Sequence, residues 1–376
     1  MRVGDRFQQI YGFKPTSIAS APGRLEVLGN HTDYNAGLAL SCAVGFRCFA
    51  ALAVLNEPVA KIASTAFDSR PVSYALDRPE LPAGDWANYV LGIVAALRQR
   101  GIEVPGFALL VDSAVPRSAG VSSSAALEMA VVTGLCDLIN LELPAFERAR
   151  IGQASESLAV GAQTGLLDQL SSLYGQPDHL LSIDFQSLEL QAVPLTEGWC
   201  FVAVDSGVKH DLTAEYNNRR ASCESAARAM GIATLREADE KSLSSSREAL
   251  PEDAYRCATH VVGENRRVRE AVAGLVEGDV IGLGELMFES HNSSRIHFWN
   301  SCPELDELVE FAQADGRCVG ARLSGGGFGG ITIHLVRRQD ADSYHHDLSY
   351  ALEALGRGER WSAICEIDRG AVLHPV

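Results

Sequence analysis

Three stretches of the sequence concentrate glycine, serine and polar side chains, and each could bind a small polar ligand. In the first, VPRSAGVSSSAALEMAVVTGL, three serines follow a Pro and Gly turn and precede a helical run that begins at about Ala125. Free N–H groups and serine hydroxyls at a helix start form a positive pocket, and small residues let an anion approach the backbone. A single serine there would most often be an ordinary helix cap. Three of them favour phosphate binding.

The second stretch, RLSGGGFGGITIHLV, places Gly325, Gly327 and Gly330 at the spacing G-x-G-x-x-G that is typical of dinucleotide-binding proteins. An alternating β-rich run at 331–336 follows, where a dinucleotide site would need a helix start for the pyrophosphate. The context therefore argues against NAD binding. Two interpretations stay open, a tight hairpin turn between strands and a close approach of the backbone to another ligand.

The third stretch, SAPGRLEVLGNHTDYNAGLAL, crowds charged and polar side chains into one predicted strand and turn. Five of its residues could do chemistry: Arg24, Glu26, Asn30, His31 and Asp33. His31 and Asp33 could ligate a metal, but no further His or Cys stands at ligand spacing. Asp and Asn side chains pair well with neighbouring hydroxyls, so the stretch also suits sugar recognition.

In chain order, these three stretches resemble the three motifs of the GHMP kinases. The stretch nearest the N-terminus is similar to the signature of the galactokinase family, with GR at 23–24 and HTDYN at 31–35. Further galactokinase-like segments are WANYVLG at 86–92, GLLDQ at 165–169, VKHDLTAEYNNRR at 208–220, GELMFESHNSSR, SCPELDEL and GARLSGGGFGG. The resemblance runs from about residue 18 to about residue 336.

The resemblance implies an α+β fold of two domains with the active site in the cleft between them. Residues 1–195 would form an N-terminal domain related to the second domain of ribosomal protein S5, carrying the sugar signature and the phosphate loop. Residues 196–376 would form a ferredoxin-like α+β domain. The implied reaction is transfer of phosphate from ATP, with Mg²⁺, to the anomeric hydroxyl of a monosaccharide.

The resemblance also implies roles for individual residues. Asp168 would accept the proton of the anomeric hydroxyl, with Arg24 beside it. Ser124 and Glu156 would hold magnesium, and Glu156 stands 12 residues before Asp168 (168 − 156). The residues implied to bind ATP are Gly120, Ser122, Ser123, Ser124, Ala125, Gly325, Gly326 and Gly327. The residues implied to bind the sugar are Glu26, Asn30, His31, Asp33, Gly165 and Tyr216.

The sequence departs from the family at two positions that bear on the identity of the sugar. Galactokinases have Glu where this chain has Asn30, and Asn where this chain has Glu26. A neutral Asn30 would tolerate a 6-carboxylate or another C6 substituent that a glutamate repels, unless the two residues have exchanged places within one network. Alternative substrates are therefore galacturonate, an N-acetylhexosamine, arabinose or a cyclitol.

A galactokinase-like regulator, which binds sugar and ATP without catalysis, is an alternative from another class. Such regulators lack residues of the Ser-Ser-Ala segment in the serine-rich stretch. This chain retains SSSAA at 122–126 together with Arg24 and Asp168. An enzyme is the better hypothesis.

The elements that must position these groups are predicted to be mixed α and β. Strand-like runs such as GFALLVDSAVP and CFVAVDSGV are interspersed with helical runs such as AALEMAVVTGLCDLINLEL and SCPELDELVEFAQ. The turn-rich residues 194–198 suggest the domain boundary near 195.

Composition limits the partners of the chain and its compartment. Hydrophobic residues make up 47% of the sequence and charged residues 21%, which is the balance of a folded protein. The net charge of −16 disfavours nucleic acid and anionic membranes. Nine scattered cysteines without a C-x-x-C pair indicate a reducing compartment, and no signal peptide or membrane span is apparent. We expect a cytoplasmic monomer or homodimer whose partners are a monosaccharide and ATP.

Overall fold

The structure is a computed structural model. It describes residues 2–67, 69–77, 85–116, 120–161, 164–208, 213–354 and 360–376. Residues 117–119 of the serine-rich stretch and residues 209–212 of one galactokinase-like segment lie outside these ranges. Every residue predicted to belong to the site lies within them.

Within the described ranges the chain forms two β-sheets and the helices that cover them. The strands are β1 (Ser17–Leu28), β2 (Leu38–Val54), β3 (Val59–Ser64), β4 (Val72–Ala75), β5 (Phe107–Ser113), β6 (His179–Asp184), β7 (Leu190–Pro194), β8 (Trp199–Asp205), β9 (Cys318–Ser324), β10 (Ile331–Arg337), β11 (Ser362–Cys365) and β12 (Val372–His374). The α-helices are α1 (Val3–Tyr11), α2 (Ala87–Gln99), α3 (Ser123–Leu138), α4 (Ala145–Val160), α5 (Leu167–Tyr174), α6 (Thr213–Met230), α7 (Glu240–Ser245), α8 (Glu252–Val276), α9 (Val280–Ser293), α10 (Pro303–Ala314) and α11 (Ala341–Ala354). Four 3₁₀ turns (Asp33–Asn35, Leu235–Glu237, Arg247–Ala249 and Arg338–Asp340) and a π-helical turn (Ser294–Phe298) are also present in these ranges. The predicted strands correspond to β5 and β8, and the predicted helices to α3 and α10.

The larger sheet carries the sugar signature. Its strand order is β12-β1-β2-β5-β3-β4, with β6 and β7 attached to β2, and only the pairing of β3 with β5 is parallel within the described residues. The pairing of β1 with β2 shifts register between Pro22 and Arg24 and again between Glu26 and Leu28. Such irregularities redirect side chains, and both of these lie beside predicted site residues.

The smaller sheet carries the glycine-rich stretch. Its strand order is β11-β8-β10-β9, and all of its pairs are antiparallel. Strands β9 and β10 pair from Ser324 opposite Ile331, so residues 325–330 form the connection between them. The hairpin interpretation of these glycines is therefore correct, and the segment contacts the site as well.

The main hydrophobic core runs from one sheet to the other. It includes Leu25 of β1 and Met129 of α3 together with Phe201 of β8 and Leu335 of β10. Strand β7 ends just before the predicted domain boundary and β8 begins just after it. The end of the chain then returns, because β12 pairs with β1 of the larger sheet. The boundary at 195 stays a prediction.

Two sequence-level expectations about compartment and assembly remain as predictions. The nine cysteines all lie in the described ranges, and none of them forms a disulfide. In the same part of the chain, no helix combines the length and the apolar character needed to cross a bilayer. The cytoplasmic location and the monomeric or homodimeric state are carried forward as predictions.

Candidate active site

An arginine and an aspartate form the centre of the site. Arg24 comes from the irregular part of β1, and Asp168 lies in the first turn of α5, where a carboxylate is favoured by the helix dipole. Arg24 Nε and Nη2 donate to the two Asp168 carboxylate oxygens at 2.7 and 2.8 Å, and Nη1 donates to the Gly120 carbonyl at 2.7 Å. Burial lowers the pKa of Arg24, but the charge and hydrogen bonds of Asp168 outweigh burial, so the pKa is raised overall. The pair is thus a bidentate clamp of opposite charges.

The serine-rich stretch contacts this pair. Ser122 precedes α3 with a left-handed backbone (φ 60°), and its side chain makes no capping hydrogen bond. Its hydroxyl donates instead to Asp168 Oδ2. The ordinary-cap interpretation is therefore wrong for Ser122. The first-turn N–H groups of α3 have no acceptor within the helix, which leaves them available to an anion.

A second carboxylate contacts the first turn of α3. Glu156 of α4 accepts hydrogen bonds from Ser124 Oγ at 3.0 Å and Thr164 Oγ1 at 2.9 Å. Burial raises the pKa of Glu156, and the negative charge of Asp168 raises it further. Gln169 Nε2 bridges Glu156 to the fully buried Glu128, at 3.3 and 3.1 Å. The motif GLLDQ contained Gln169, but nothing in the sequence pointed to Glu128 or Thr164.

The donor set at Ser124 and Glu156 fits magnesium. One carboxylate and one hydroxyl are enough protein ligands for Mg²⁺, which usually keeps several waters and binds substrate phosphates. Across the described residues there is no cluster of three or more His, Cys, Asp or Glu side chains that would hold a metal by protein ligands alone. A cation here would also offset the two neighbouring carboxylates, Glu156 and Asp168.

The turn after β1 brings the predicted sugar-binding residues together. Asp33 packs against Gly165 so closely that a Cβ atom at 165 would lie 1.8 Å from Asp33 Oδ2. His31 has a left-handed backbone (φ 59°), and its ring nitrogens lie 2.9 Å from Tyr34 Oη and 3.1 Å from the Gly326 carbonyl. The Tyr216 ring lies against His31, with centroids 4.9 Å apart. Asp33, Gly165, His31 and Tyr216 thus form one wall of the site, to which both halves of the sequence contribute.

Burial shifts two titratable groups in this wall. It raises the pKa of Asp33 to about 7, although the Tyr34 backbone N–H, which Asp33 accepts at 2.9 Å, opposes the shift. Burial lowers the pKa of His31 to about 4. At neutral pH the imidazole is therefore uncharged, and Asp33 is close to its titration midpoint.

Glu26 and Asn30 belong to one buried network. Asn30 Nδ2 donates to Glu26 Oε1 at 2.8 Å, and Arg322 donates to the same oxygen from both terminal nitrogens at 3.2 Å. Asn300 Nδ2 donates to Asn30 Oδ1 at 2.8 Å. Burial raises the pKa of Glu26 above its ordinary value, although Arg322 and Arg24 act in the opposite direction.

Glu264 supports the same turn from α8. It accepts the backbone N–H groups of Gly29 and Asn30 at 2.7 and 2.9 Å and pairs with Arg267 at 2.7 Å. Arg322 stood in the quoted segment GARLSGGGFGG without a role, whereas no motif signal marked Asn300 or Glu264.

Two adjoining pockets meet at the clamp. The larger, about 370 Å³, is lined by Arg24, Gly120, Ser122, Ser123, Ser124, Asp168, Val208, Ser324, Gly325, Gly326, Gly327, Gly329 and Gly330. The smaller, about 200 Å³, is lined by Arg24, Glu26, Asn30, His31, Asp33, Thr164, Gly165, Leu167, Asp168, Tyr216, Gly325, Gly326 and Phe328. Of the predicted site residues, Ala125 and Glu156 line neither pocket. Ala125 is buried in the first turn of α3, and Glu156 is reached through Ser124.

Three family models match the chain. Residues 5–54 match the galactokinase galactose-binding signature, residues 88–176 the N-terminal domain of GHMP kinases, and residues 271–354 the C-terminal domain of GHMP kinases. A galactokinase from Roseiflexus sp. (strain RS-1) is 41% identical over 361 residues, which are 94% of this chain and 92% of the relative. The chain belongs to the galactokinase family.

Further galactokinase-family relatives agree in sequence and in structure. A galactokinase from Actinobacillus pleuropneumoniae serotype 5b (strain L20) is 40% identical over 354 residues, 90% of this chain and 92% of the relative. The structure of Lactococcus lactis galactokinase complexed with galactose has a TM-score of 0.92 at 27% identity, covering 98% of both chains. A Methanococcus jannaschii mevalonate kinase has a TM-score of 0.64 at 18% identity, covering 93% of this chain and 98% of the other, and it supports the fold alone.

Membership of the galactokinase family confirms two predictions. The fold is the two-domain α+β GHMP kinase fold, with the active site in the cleft between the domains. The chain is an ATP-dependent sugar kinase. The regulator hypothesis is thereby set aside, while the roles of individual residues and the use of magnesium stay predictions.

Proposed function

We propose that this sugar kinase transfers the γ-phosphoryl group of ATP to the anomeric hydroxyl of a monosaccharide, with galactose as the first candidate. The observation that carries the proposal is the meeting of two pockets at one Arg24–Asp168 clamp, since a phosphoryl donor and an acceptor must approach each other there. The solved Lactococcus lactis relative contains galactose, which supports the choice of sugar.

Asp168 and Arg24 act on the reacting atoms. The Asp168 carboxylate accepts the proton of the anomeric hydroxyl as that oxygen attacks the γ-phosphorus. Arg24 and Ser122 donate hydrogen bonds to the carboxylate and so fix the direction of its oxygens. Arg24 also offsets negative charge on the transferring group, because its guanidinium lines both pockets.

The larger pocket receives the phosphates. First-turn N–H groups of α3 and the glycine backbone at 325–327 surround it, and neither presents a bulky side chain. Ser124 and Glu156 would hold Mg²⁺. When bound, that cation neutralises charge on the phosphate oxygens.

The smaller pocket receives the sugar. Asp33 accepts hydrogen bonds from ring hydroxyls, and Gly165 leaves room for its carboxylate. The uncharged His31 and the Tyr216 ring form an apolar and hydrogen-bonding wall beside it. These contacts position the anomeric hydroxyl next to Asp168.

Steady-state release of ADP with Mg-ATP tests the proposal. The sugar panel contains galactose, galacturonate, N-acetylgalactosamine, N-acetylglucosamine, glucose, mannose, arabinose, fucose and myo-inositol, with Asp168→Asn as the blank. We expect galactose to give the highest kcat/KM and a product phosphorylated at position 1, identified by NMR. A different preferred sugar would overturn the choice of galactose, and phosphorylation at another position would overturn the assigned acceptor.

A further inference from the structure

We propose that Glu26, and not Asn30, supplies the carboxylate that selects the sugar, by accepting a hydrogen bond from a sugar hydroxyl and repelling sugars that carry a carboxylate. This rests on the proposed function, because it assigns selectivity within the same pocket. This assignment of Glu26 also determines the class of substrate. It makes the protein a kinase for uncharged sugars, although the neutral Asn30 suggested that a uronate would be tolerated.

Asn30 has no N–H group left for a ligand. Its side chain is fully buried. The two hydrogens of Nδ2 are donated to Glu26 Oε1 and to the Gly325 carbonyl, each at 2.8 Å, and Oδ1 accepts from Asn300. An amide offers two donors, and both are used within the protein. Asn30 therefore links β1, the glycine-rich hairpin and Asn300, which follows the π-helical turn.

Glu26 has one oxygen engaged and one that is free. Oε1 accepts from Asn30 and from both terminal nitrogens of Arg322. No residue in the described part of the chain donates to Oε2. Glu26 is 6% exposed and lines the smaller pocket, so its small exposed surface faces the sugar. An unpaired carboxylate oxygen at that place is a strong acceptor for a hydroxyl.

Arg322 forms an ion pair with Glu26 and stabilises its negative charge. This guanidinium is fully buried on β9 and pairs with Glu26 across the junction of the two sheets. A buried cation of this kind is costly without its partner, so Arg322 favours the ionised form of Glu26 and opposes the larger effect of burial, which raises the pKa of this carboxyl overall. Arg322 itself does not line the smaller pocket, and Arg24, which does, is already paired with Asp168.

A uronate would bring its carboxylate into a pocket lined by three acidic side chains, of which Asp33 is only partly ionised at neutral pH. Glu26, Asp33 and Asp168 all line it, and Arg24 and Arg322 are committed to two of these carboxylates. Juxtaposition of like charges costs on the order of several kcal/mol, which corresponds to at least about 100-fold in affinity. An uncharged hexose avoids this repulsion and gains a hydrogen bond to Glu26.

Selectivity of the unmodified protein is the first test. We expect kcat/KM for galactose to exceed that for galacturonate by at least about 100-fold. This measurement needs no variant. Comparable turnover of the two sugars would overturn the proposal, whereas failure of every panel sugar to exceed the Asp168→Asn blank would instead count against the proposed function.

Two substitutions of matched size then separate charge from packing. Glu26→Gln keeps the length of the side chain but removes its charge, and Glu26→Asp keeps the charge on a shorter chain. We expect Glu26→Gln to lower kcat/KM for galactose roughly 10- to 100-fold and to narrow the galactose-to-galacturonate ratio by at least about tenfold. Glu26→Asp should lower kcat/KM for galactose but leave the galactose-to-galacturonate ratio unchanged.

The ratio of kcat/KM for galactose to that for galacturonate is informative, because it would not change if Glu26 had only a structural role. Thermal unfolding and the KM for ATP report on whether each variant is folded. A folded Glu26→Gln protein with the unmodified ratio would overturn the assignment of Glu26. The assignment would also be overturned if Glu26→Asp narrowed the galactose-to-galacturonate ratio as much as Glu26→Gln does.

Discussion

Asp168 combines three hydrogen-bond contacts with an exposed edge. It accepts two hydrogen bonds from Arg24 and one from Ser122, and its side chain remains 30% exposed toward the pockets. The exposed fraction leaves room for a substrate hydroxyl, while the donors fix the direction of the oxygens. This is the arrangement expected of a group that receives a proton from a positioned nucleophile.

Asp168→Asn should therefore lower kcat by about 10²- to 10⁴-fold, because an amide of the same shape does not accept the proton. The matched control is Asp112→Asn. Asp112 is 25% exposed and also accepts two hydrogen bonds from one arginine, Arg6, but it lies outside both pockets. ADP release per folded molecule should be near normal in the control. Equal losses in the two variants would show that an Asp–Arg pair matters only for structure.

Asp33 should make sugar binding depend on pH. Its pKa is raised to about 7 by burial, so the carboxylate form, which accepts from sugar hydroxyls, becomes populated as the pH rises through 7. We expect the dissociation constant of galactose to fall between about pH 6 and about pH 8. His31, with a pKa near 4, stays neutral over this range. Calorimetric titration checks this, and Asp33→Asn should show a flat profile over the same range.

At the scale of elements, the close packing of α5 against the turn after β1 sets the sugar pocket. Gly165 lies two residues before α5, and a methyl group there would overlap Asp33. Gly165→Ala should raise the KM for sugar by at least about tenfold, because displacement of a positioning group by about 1 Å is costly. The KM for ATP should change much less.

Gly316→Ala is the control for Gly165→Ala. A Cβ at 316 meets no atom within 4 Å, and the φ angle of Gly316 is not in the left-handed region. Steady-state kinetics with each substrate varied in turn measures both effects. An unchanged sugar KM in Gly165→Ala would contradict the assigned role of this contact.

Elements with a local signal were predictable, and long-range partners were not. The periodic runs gave β5, β8, α3 and α10, and a motif resemblance located Arg24, Asp168 and the glycine hairpin. The partners that complete the site come from far along the chain. Asn300 is 270 residues from Asn30, Arg322 is 296 from Glu26, and Glu264 is 235 from Gly29. A single buried side chain leaves no periodic signal for a partner so far away, and a motif that contains it, as for Arg322, does not name that partner.

The two halves of the molecule are also joined by the end of the chain. Strand β12 pairs with β1, and the His374 ring nitrogen Nε2 lies 2.8 Å from Ser20 Oγ. Arg47 ties the preceding segment to the larger sheet through Asp368, at 2.9 Å. The last residues therefore complete the N-terminal sheet and do not form a free tail.

Removal of residues 372–376 should lower the free energy of unfolding by roughly 1–3 kcal/mol, because several backbone hydrogen bonds of β1 lose their partners. Truncation of Pro375 and Val376 alone is the control, since both follow β12 and Val376 is exposed. Denaturant unfolding measures the difference. Equal stability of the two truncated proteins would contradict a structural role for β12.

Both pockets share the Arg24–Asp168 clamp, so the binding of each substrate should affect the binding of the other. Arg24 and Asp168 line the phosphate pocket and the sugar pocket alike, so a ligand that reorients either residue changes the binding free energy of the second ligand. Thermodynamic linkage then requires reciprocity: the factor by which sugar alters nucleotide affinity equals the factor by which nucleotide alters sugar affinity. The synergy or antagonism of the two substrates is thus a property of a single ion pair.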